Sequence, residues 1–200
     1  MIIDYGMGNV GSVAAALEYL GANYFVSNKN EDLINASAFI LPGVGAFPTA
    51  MKNLKKLNLV DGLNQQVLQQ KKPFFGICLG MQLLAKDSVE QGFSTGLGWL
   101  DAHVLPLEPV MGLRIPHVGW NNITFCDDNM FFEHIDSGAN FYFDHSYQLR
   151  CSADRIAATF EYGSEYVAAV SYQNIIATQF HPEKSQRNGL KMLRNFLNLV

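Results

Sequence analysis

The length, composition and charge of this chain exclude several classes of protein. Its 200 residues suit one domain with a substantial core, and 48% hydrophobic with 16% charged residues is globular rather than disordered composition. The net charge of −4 gives no indication of a nucleic-acid or anionic-membrane surface. We therefore expect a single domain, residues 1–200, that binds neither nucleic acid nor membrane.

The first half of the chain alternates the patterns of strands and helices. Its strands carry apolar runs, and Gly or Pro follows several of them. The expected elements are a strand at 1–3, a helix at 13–20 with Ser12 as its N-cap, strands at 24–26 and 38–41, helices at 46–54 and 60–70, a strand at 74–77, and a helix that follows Cys78 to about residue 85.

The second half is richer in strand signals and closes with an amphipathic helix. Alternating β and α elements predict an α/β fold, with an open, mainly parallel central sheet, helices on both faces and additional β elements in this half. The expected strands are at 104–107, 123–125, 141–143, 156–160, 167–170 and 175–179, and the helix is at 189–199.

The cysteines indicate a reducing compartment, and the sequence shows no pattern typical of export, membrane insertion or metal binding. Three cysteines cannot all pair, and none stands in a C-x-x-C motif. The beginning of the chain lacks the pattern of a signal peptide, and no apolar run is long enough to span a bilayer. The five histidines show no metal-ligand spacing, so we expect neither metal nor cofactor. A cytoplasmic location is the simplest expectation.

One cysteine stands between two glycines at a predicted strand-to-helix junction. The stretch Gly76-Ile77-Cys78-Leu79-Gly80 has the form G-x-C-x-G, the thiol analogue of the turn that exposes a nucleophilic serine. Small neighbours allow the sharp turn, and the helix start would place backbone N–H groups near the sulfur. A buried structural cysteine is the alternative, but the five-residue pattern favours Cys78 as a nucleophile. Cys126 and Cys151 lack this setting and are interpreted as structural or incidental.

A histidine and a glutamate follow the last predicted strand. In Gln179-Phe180-His181-Pro182-Glu183, the proline restrains the turn, and His181 and Glu183 would share one side of an extended segment. A thiol nucleophile needs an imidazole to take and return its proton, and a carboxylate orients that imidazole. A surface turn is the alternative for this stretch alone. Together with Cys78, it predicts a Cys-His-Glu triad at the carboxyl edge of the sheet.

The loop Pro42-Gly43-Val44-Gly45 also ends a predicted strand. Its two glycines permit close approach and a peptide unit that can turn over. A tetrahedral intermediate needs N–H donors aimed at its oxyanion, and this loop could supply one donor while the helix start after Cys78 supplies another. A plain strand-to-helix turn is the alternative.

These motifs resemble class I (triad) glutamine amidotransferases and, more narrowly, the glutaminase subunits of imidazole glycerol phosphate synthase. Valine at position 44, where most relatives carry glycine, and the P-H-x-G-W-N stretch are the most specific to the narrower family. The resemblance spans almost the whole chain, and the segments that carry it are 4–9 (DYGMGN), 41–45 (LPGVG), 76–82 (GICLGMQ), 116–121 (PHVGWN), 141–147 (FYFDHSY) and 181–185 (HPEKS).

The resemblance implies a glutaminase with the fold of that class. The Cys78 thiolate would attack the side-chain amide of L-glutamine, ammonia would leave, and water activated by His181 would release glutamate from a thioester. The residues implied to surround the substrate are Gln82 and Glu90 for glutamine binding, and Val44, Gly45 and Leu79 for the oxyanion hole.

The same resemblance implies a heterodimer with a (β/α)8-barrel cyclase. Ammonia would pass through that barrel to complete the imidazole ring in histidine biosynthesis. The peptide around Val44 is implied to reorient, so that the oxyanion hole forms only when the partner and its ligand are bound. The residues implied to lie at the interface or tunnel are Asn9, Trp120, Tyr142 and Lys184.

Three alternatives stay open. A paralogous glutaminase could supply ammonia to another acceptor, such as a cell-surface sugar, and Asp144, where the family usually has an apolar residue, leaves that open. A stand-alone Cys-His-Glu hydrolase would have no use for Gln82 or the interface residues. A regulatory subunit without catalysis conflicts with the intact triad. His117 and His145 stand in two of the segments that carry the resemblance, but they could equally be buried histidines that only complete the hydrogen bonding of the core.

Overall fold

The computed structural model describes residues 1–125 and 129–200, and its main feature is a mixed sheet of nine strands. A second sheet of four strands packs beside it. The α/β class expected from the sequence is confirmed. Cys126, interpreted above as structural or incidental, lies outside the described residues.

The strands and helices of the described residues follow the order expected from the sequence, with further short elements. The strands are β1 (Ile2–Ile3), β2 (Val26–Ser27), β3 (Phe39–Gly43), β4 (Phe74–Cys78), β5 (Asp87–Ser88), β6 (Ser94–Thr95), β7 (Ala102–Pro106), β8 (His117–Thr124), β9 (Asn140–His145), β10 (Tyr147–Cys151), β11 (Ile156–Glu161), β12 (Glu165–Tyr172) and β13 (Ile175–Thr178). The helices are α1 (Val10–Tyr19), α2 (Phe47–Lys56), α3 (Leu59–Leu63), which continues as a π-helix over Asn64–Gln69, α4 (Leu79–Gln82) and α5 (Gln186–Leu197). Single 3₁₀ turns occupy Asn30–Leu33, Met130–Phe132, Ala153–Arg155 and Pro182–Lys184.

The nine-stranded sheet has a parallel half and an antiparallel half. Its order is β2-β1-β3-β4-β13-β12-β11-β8-β9, and the first five strands of that order run parallel. The remaining strands pair antiparallel, beginning with β12 against β13. Every residue of β3 and β4 is buried, as expected of central parallel strands that are covered on both faces. The smaller sheet has the order β10-β7-β5-β6.

Helices cover both faces of the sheet, and each face has its own apolar cluster. Successive residues of a strand point to opposite faces, so Phe74 joins one cluster and Phe75 the other. The first cluster includes buried residues of α2, α3 and α4, and the second includes those of α1 and α5. The carboxyl ends of β3, β4 and β13 therefore meet at one edge, between the two helical layers.

The expected N-cap of the first helix is wrong. Helix α1 begins at Val10, so Ser12 lies inside its first turn and Asn9 occupies the cap position. The side chain of Asn9 makes no capping bond to any residue that the structure describes, because it bonds to Glu183 instead. The first helical bond joins the Val13 N–H to the Asn9 carbonyl.

No helix within residues 1–125 and 129–200 combines the length and the apolar character needed to cross a membrane.

Candidate active site

Cys78 lies at the sharp turn between β4 and α4. Its φ of 54° is in the left-handed region, which a non-glycine residue adopts at a strain cost. The flanking glycines are required by close packing: a Cβ on Gly80 would lie 1.9 Å from the Leu41 carbonyl oxygen, and one on Gly76 would lie 2.8 Å from the Gly80 carbonyl oxygen. The turn thus holds the sulfur at the carboxyl edge of the sheet, as the G-x-C-x-G pattern predicts.

His181 and Glu183 meet Cys78 at that edge. The His181 Nδ1 and Glu183 Oε1 atoms are 2.8 Å apart, and their side chains are only 2% and 0% exposed. Burial alone lowers the pKa of His181, but the charge and hydrogen bond of Cys78, followed by those of Glu183, outweigh it and raise the pKa to about 10. Glu183 is thus hydrogen-bonded to His181, and His181 lies close enough to the Cys78 sulfur for the two groups to affect each other's charge, which favours a protonated imidazole beside the sulfur.

The carboxylate of Glu183 has a further contact that the sequence did not suggest. The Asn9 Nδ2 group donates to Glu183 Oε1 over 3.3 Å, so Asn9 bridges from the start of α1 to the far end of the triad. The other carboxylate oxygen, Oε2, is buried and has no hydrogen-bond partner among the described residues. Asn9 was expected at the partner interface, and the structure joins it directly to Glu183.

Gln179 is a buried site residue that the sequence analysis missed. Its Nε2 group lies 3.6 Å from Cys78 Sγ, while its Oε1 accepts a hydrogen bond of 3.0 Å from Gln82 Nε2. Gln82 Nε2 also donates to the Tyr147 carbonyl over 3.1 Å. Gln179 stands two residues before His181 in an extended stretch, and this spacing was the available signal that both side chains face the sulfur.

A cavity of about 430 Å³ opens beside Cys78, within the size range of small-molecule sites. Its wall includes the segment from Asp144 to Tyr147, and the Asp144 carbonyl lies 3.8 Å from the sulfur. The carboxylate of Glu90 is fixed by the Phe47 N–H, which donates to Oε2 over 2.8 Å. The predicted residues that line the cavity with Cys78 are Val44, Gly45, Leu79, Gln82 and Glu90.

The loop expected to supply an oxyanion donor has its key N–H group engaged elsewhere. The Val44 N–H donates to the Met7 carbonyl over 3.1 Å. Gly45, with a φ of +94°, adopts a conformation that favours glycine, and its missing Cβ would lie 2.9 Å from Met7 Cε. In this conformation the Val44 N–H is not available to an oxyanion at Cys78.

Three of the residues expected at the interface pack together next to His181. The rings of Trp120 and Tyr142 are paired edge to face across β8 and β9 with centroids 6.0 Å apart, and Lys184 Nζ lies 5.3 Å from the Tyr142 ring centroid. The Tyr142 ring centroid is 6.5 Å from that of His181. Trp120 is 47% exposed, so this cluster connects the triad to the protein surface.

His117 and His145 are buried partners of each other. The His145 Nδ1–H donates to the Tyr147 carbonyl over 2.8 Å, so its Nε2 accepts from His117 Nδ1 over 3.1 Å. Burial lowers the pKa of His117 to about 4, and burial together with the neighbouring histidines lowers that of His145 to about 3. Both rings are neutral, and they fix the backbone of Tyr147, whose carbonyl holds Gln82.

The fold and the site together define a class of protein. A thiol beside an imidazole that is hydrogen-bonded to a carboxylate, at the carboxyl edge of an α/β sheet, can carry out acyl transfer through a covalent thioester. Among the residues that the structure describes, no group of three or more His, Cys, Asp or Glu side chains is placed to hold a metal ion. The thiol, the imidazole and the carboxylate are the groups that a thiol-dependent amidohydrolase uses.

Comparison with known proteins gives the family. The chain belongs to the glutamine amidotransferase class-I family, whose model matches residues 1–200. It is 46% identical over 198 residues to imidazole glycerol phosphate synthase subunit HisH 1 of Campylobacter jejuni strain RM1221, covering 99% of this chain and 98% of that protein. It is 47% identical over 201 residues to subunit HisH 2 of Vibrio vulnificus strain YJ016, covering 100% of this chain and 94% of that protein.

A solved structure supports the fold. A crystal structure described as that of a glutamine amidotransferase matches with a TM-score of 0.77 at 23% identity, covering 99% of this chain and 97% of that one. The family expected from the sequence motifs is confirmed, and with it the class of enzyme, a glutamine amidotransferase. The individual roles of the site residues stay predictions.

Proposed function

We propose that this chain is the glutaminase subunit of an imidazole glycerol phosphate synthase. It hydrolyses L-glutamine and delivers the ammonia to a (β/α)8-barrel cyclase, with which it forms a cytoplasmic heterodimer in histidine biosynthesis. Relatives named as subunits of that synthase, at 46% and 47% identity over nearly the whole chain, support this proposal. We further propose that residues 1–200 form one glutamine amidotransferase domain.

The first half of the reaction transfers the glutamyl group to Cys78. The thiolate attacks the side-chain amide carbon of glutamine, and the protonated His181 gives its proton to the leaving nitrogen as the carbon–nitrogen bond breaks. The raised pKa of His181 supports this role, because the imidazole already holds the proton that ammonia needs. Glu183, 2.8 Å away, stabilises the cation and fixes the ring orientation.

The second half regenerates the enzyme. The neutral His181 takes a proton from water, the hydroxide attacks the thioester carbon, and the carbon–sulfur bond breaks to release glutamate and the Cys78 thiolate. Ammonia leaves by the side of the site where Trp120, Tyr142 and Lys184 cluster. The contact of Tyr142 with both Lys184 and His181 supports this direction, since it links the triad to the surface.

The substrate lies in the cavity that Gln82 and Glu90 line. The carboxylate of Glu90 suits the α-ammonium group of glutamine, and the amide of Gln82 suits its polar groups. Val44, Gly45 and Leu79 form the oxyanion hole after the Gly43–Val44 peptide turns over. The bond from Val44 to Met7 supports an activation step, because this N–H must first be released.

The buried His181–Glu183 pair beside the Cys78 sulfur is the observation that carries the proposal. The test is to co-purify the native partner and to measure glutamine hydrolysis with and without each candidate ammonia acceptor. We expect feeble hydrolysis by the isolated chain and strong stimulation by the partner with the precursor of imidazole glycerol phosphate. Stimulation only by a sugar acceptor would instead support the paralogous function, and full activity of the isolated chain would support a stand-alone hydrolase.

The variant Cys78→Ala supplies the control for that experiment. It should abolish glutamine hydrolysis while partner binding and synthesis from free ammonia continue, because only the thioester step is removed. Undiminished glutamine turnover in this variant would refute the role of Cys78.

A further inference from the structure

The hydroxyl group of Tyr5 is buried without a hydrogen-bond partner. Within the described residues, only two buried side-chain polar atoms lack a partner, and the other, Glu183 Oε2, belongs to the triad. An unpaired buried hydroxyl is costly, and phenylalanine would fill the same space without that cost. In this conformation the Tyr5 hydroxyl forms no hydrogen bond. We therefore ask whether a neighbouring group could accept one in a second conformation of the site.

That hydroxyl lies directly against the strand end that leads into the oxyanion loop. Tyr5 Oη is 2.6 Å from the position that a Cβ on Gly43 would occupy, and the Gly80 backbone nitrogen is 2.9 Å from the same position. Gly43 contributes the carbonyl of the peptide whose N–H belongs to Val44. The unpaired donor is therefore adjacent to the peptide unit that has to move.

Turning that peptide over exchanges the directions of its two polar groups. The Val44 N–H leaves the Met7 carbonyl and points toward the oxyanion, while the Gly43 carbonyl swings to the side from which the N–H came. There it would face the Met7 carbonyl, and two acceptors cannot satisfy each other. The turned-over state needs a hydrogen-bond donor at this place.

We propose that Tyr5 is a positioning residue whose hydroxyl donates to the Gly43 carbonyl once the Gly43–Val44 peptide has turned over. The inference rests on the proposed reorientation of that loop. Burial, and then the negative charge of Cys78, hold the pKa of Tyr5 well above its usual range, so its hydroxyl remains a donor. Tyr5 thereby stabilises the conformation in which the Val44 N–H can reach the oxyanion, without itself touching glutamine.

The variant Tyr5→Phe removes only the hydroxyl and tests this directly. Thermal stability should stay equal or increase, because no bond of the resting conformation is lost. The kcat of the isolated chain should fall about threefold to tenfold with KM unchanged, as expected from the loss of one net hydrogen bond. In the complex with partner and acceptor the fall should be smaller, since the loop there is already mostly turned over.

Tyr166→Phe is the matched control. The Tyr166 hydroxyl is also on a buried ring, but it accepts a hydrogen bond of 3.3 Å from the Glu108 N–H. Tyr166 lies in the antiparallel half of the sheet and does not line the cavity beside Cys78. This variant should lose a little stability and keep its glutaminase rate. A loss of stability in Tyr166→Phe but not in Tyr5→Phe, with a kcat effect only in Tyr5→Phe, would support the proposal.

Three outcomes would overturn it. An unchanged kcat of the isolated Tyr5→Phe chain would show that the hydroxyl does not assist the loop. A loss of stability like that of Tyr166→Phe would show that it is bonded in the resting state, and an increase in KM alone would assign it to glutamine binding. If partner and acceptor do not change the wild-type rate, the proposed activation is wrong. The comparison of the isolated wild-type and Tyr5→Phe chains still decides the role of Tyr5.

Discussion

The two sides of Cys78 differ in how complete they are. On one side, His181 and Glu183 are buried, bonded to each other over 2.8 Å and adjacent to the sulfur. On the other side, the Val44 N–H is bonded to the Met7 carbonyl and is not available to an oxyanion. The side chains proposed to perform the chemistry are assembled, whereas the backbone group proposed to stabilise the transition state is not.

This difference follows from what holds each side in place. The triad residues lie at the ends of central strands and on close-packed turns, where movement would disturb buried packing. The loop at Val44 has glycines on both sides, and Val44 itself is 40% exposed. Under the proposed function, control of activity by a partner would require a change in one peptide unit and no rearrangement of the triad.

The largest expected effect comes from breaking the assembled side with Glu183→Gln. Loss of the carboxylate removes the group that orients His181, and kcat should fall by about 10²–10⁴. The charge of Glu183 contributes to the raised pKa of His181, about 10. In the variant this pKa should be lower, so the alkaline limb of its pH profile should lie at lower pH than that of the wild type. The measurement is the pH profile of glutamine hydrolysis, with Glu161→Gln as an exposed control.

An alkaline limit that does not move in Glu183→Gln would contradict the assignment of the carboxylate. The same would hold if the control variant lost as much activity.

The next largest effect comes from removing the donor on the incomplete side with Val44→Pro. Proline has no N–H, so it can neither bond to Met7 nor serve an oxyanion, and kcat of the activated complex should fall by about 10²–10³. The control Val44→Ala keeps the N–H and should keep most of the activity. Stimulated hydrolysis that survives in Val44→Pro would show that this N–H is not the donor.

The smallest effect concerns the neutral histidine pair that supports Gln82 through Tyr147. Because the folded-state pKa of His117, about 4, lies below the ordinary value of 6.5, the unfolded chain binds more protons in acid. The stability from this ring is present above pH 6.5 and lost as pH falls toward 4. His117→Gln should therefore reduce the loss of Tm between pH 7 and pH 4.5 by about 5–10 °C.

Thermal unfolding at several pH values checks this, with His134→Gln, an exposed histidine, as the control. An unchanged slope in His117→Gln would mean that the ring is not held neutral. Since Gln also removes the stacking of His117 on Phe160, the slope rather than the level of Tm is the informative quantity.

The sequence predicts the side with Cys78, His181 and Glu183 better than the conformation of the loop at Val44. The turn at Cys78 is encoded within five residues, because glycine is required where a Cβ would meet backbone. His181 and Glu183 are likewise set by a short local pattern. The spacing of Gln179 from His181 was a local signal for its orientation, but its contact with Cys78 also depends on β13 lying next to β4, a pairing between distant parts of the chain.

The same limit applies to the rest of the fold. The alternation of β and α elements in the first half predicts the parallel sheet, because each strand and each helix must bury its apolar residues against the next layer. The predicted start of α1, with Ser12 as its N-cap, is wrong. The residue at the cap position is Asn9, but its side chain bonds to Glu183, 174 residues away, so no local capping pattern marks the start of the helix. The bond from Val44 to Met7 is between backbone atoms, so no side-chain pattern marks it.

One measurement compares the two sides in the same molecule. The rate at which glutamine acylates Cys78 in a single turnover, and the rate at which iodoacetamide alkylates it, are both measured with and without the partner and acceptor. Alkylation needs the nucleophile but no oxyanion hole, so it should change less than about threefold, whereas acylation should increase about 10²–10³-fold. A parallel increase in both rates would mean that the partner assembles the nucleophile itself, and would contradict the account.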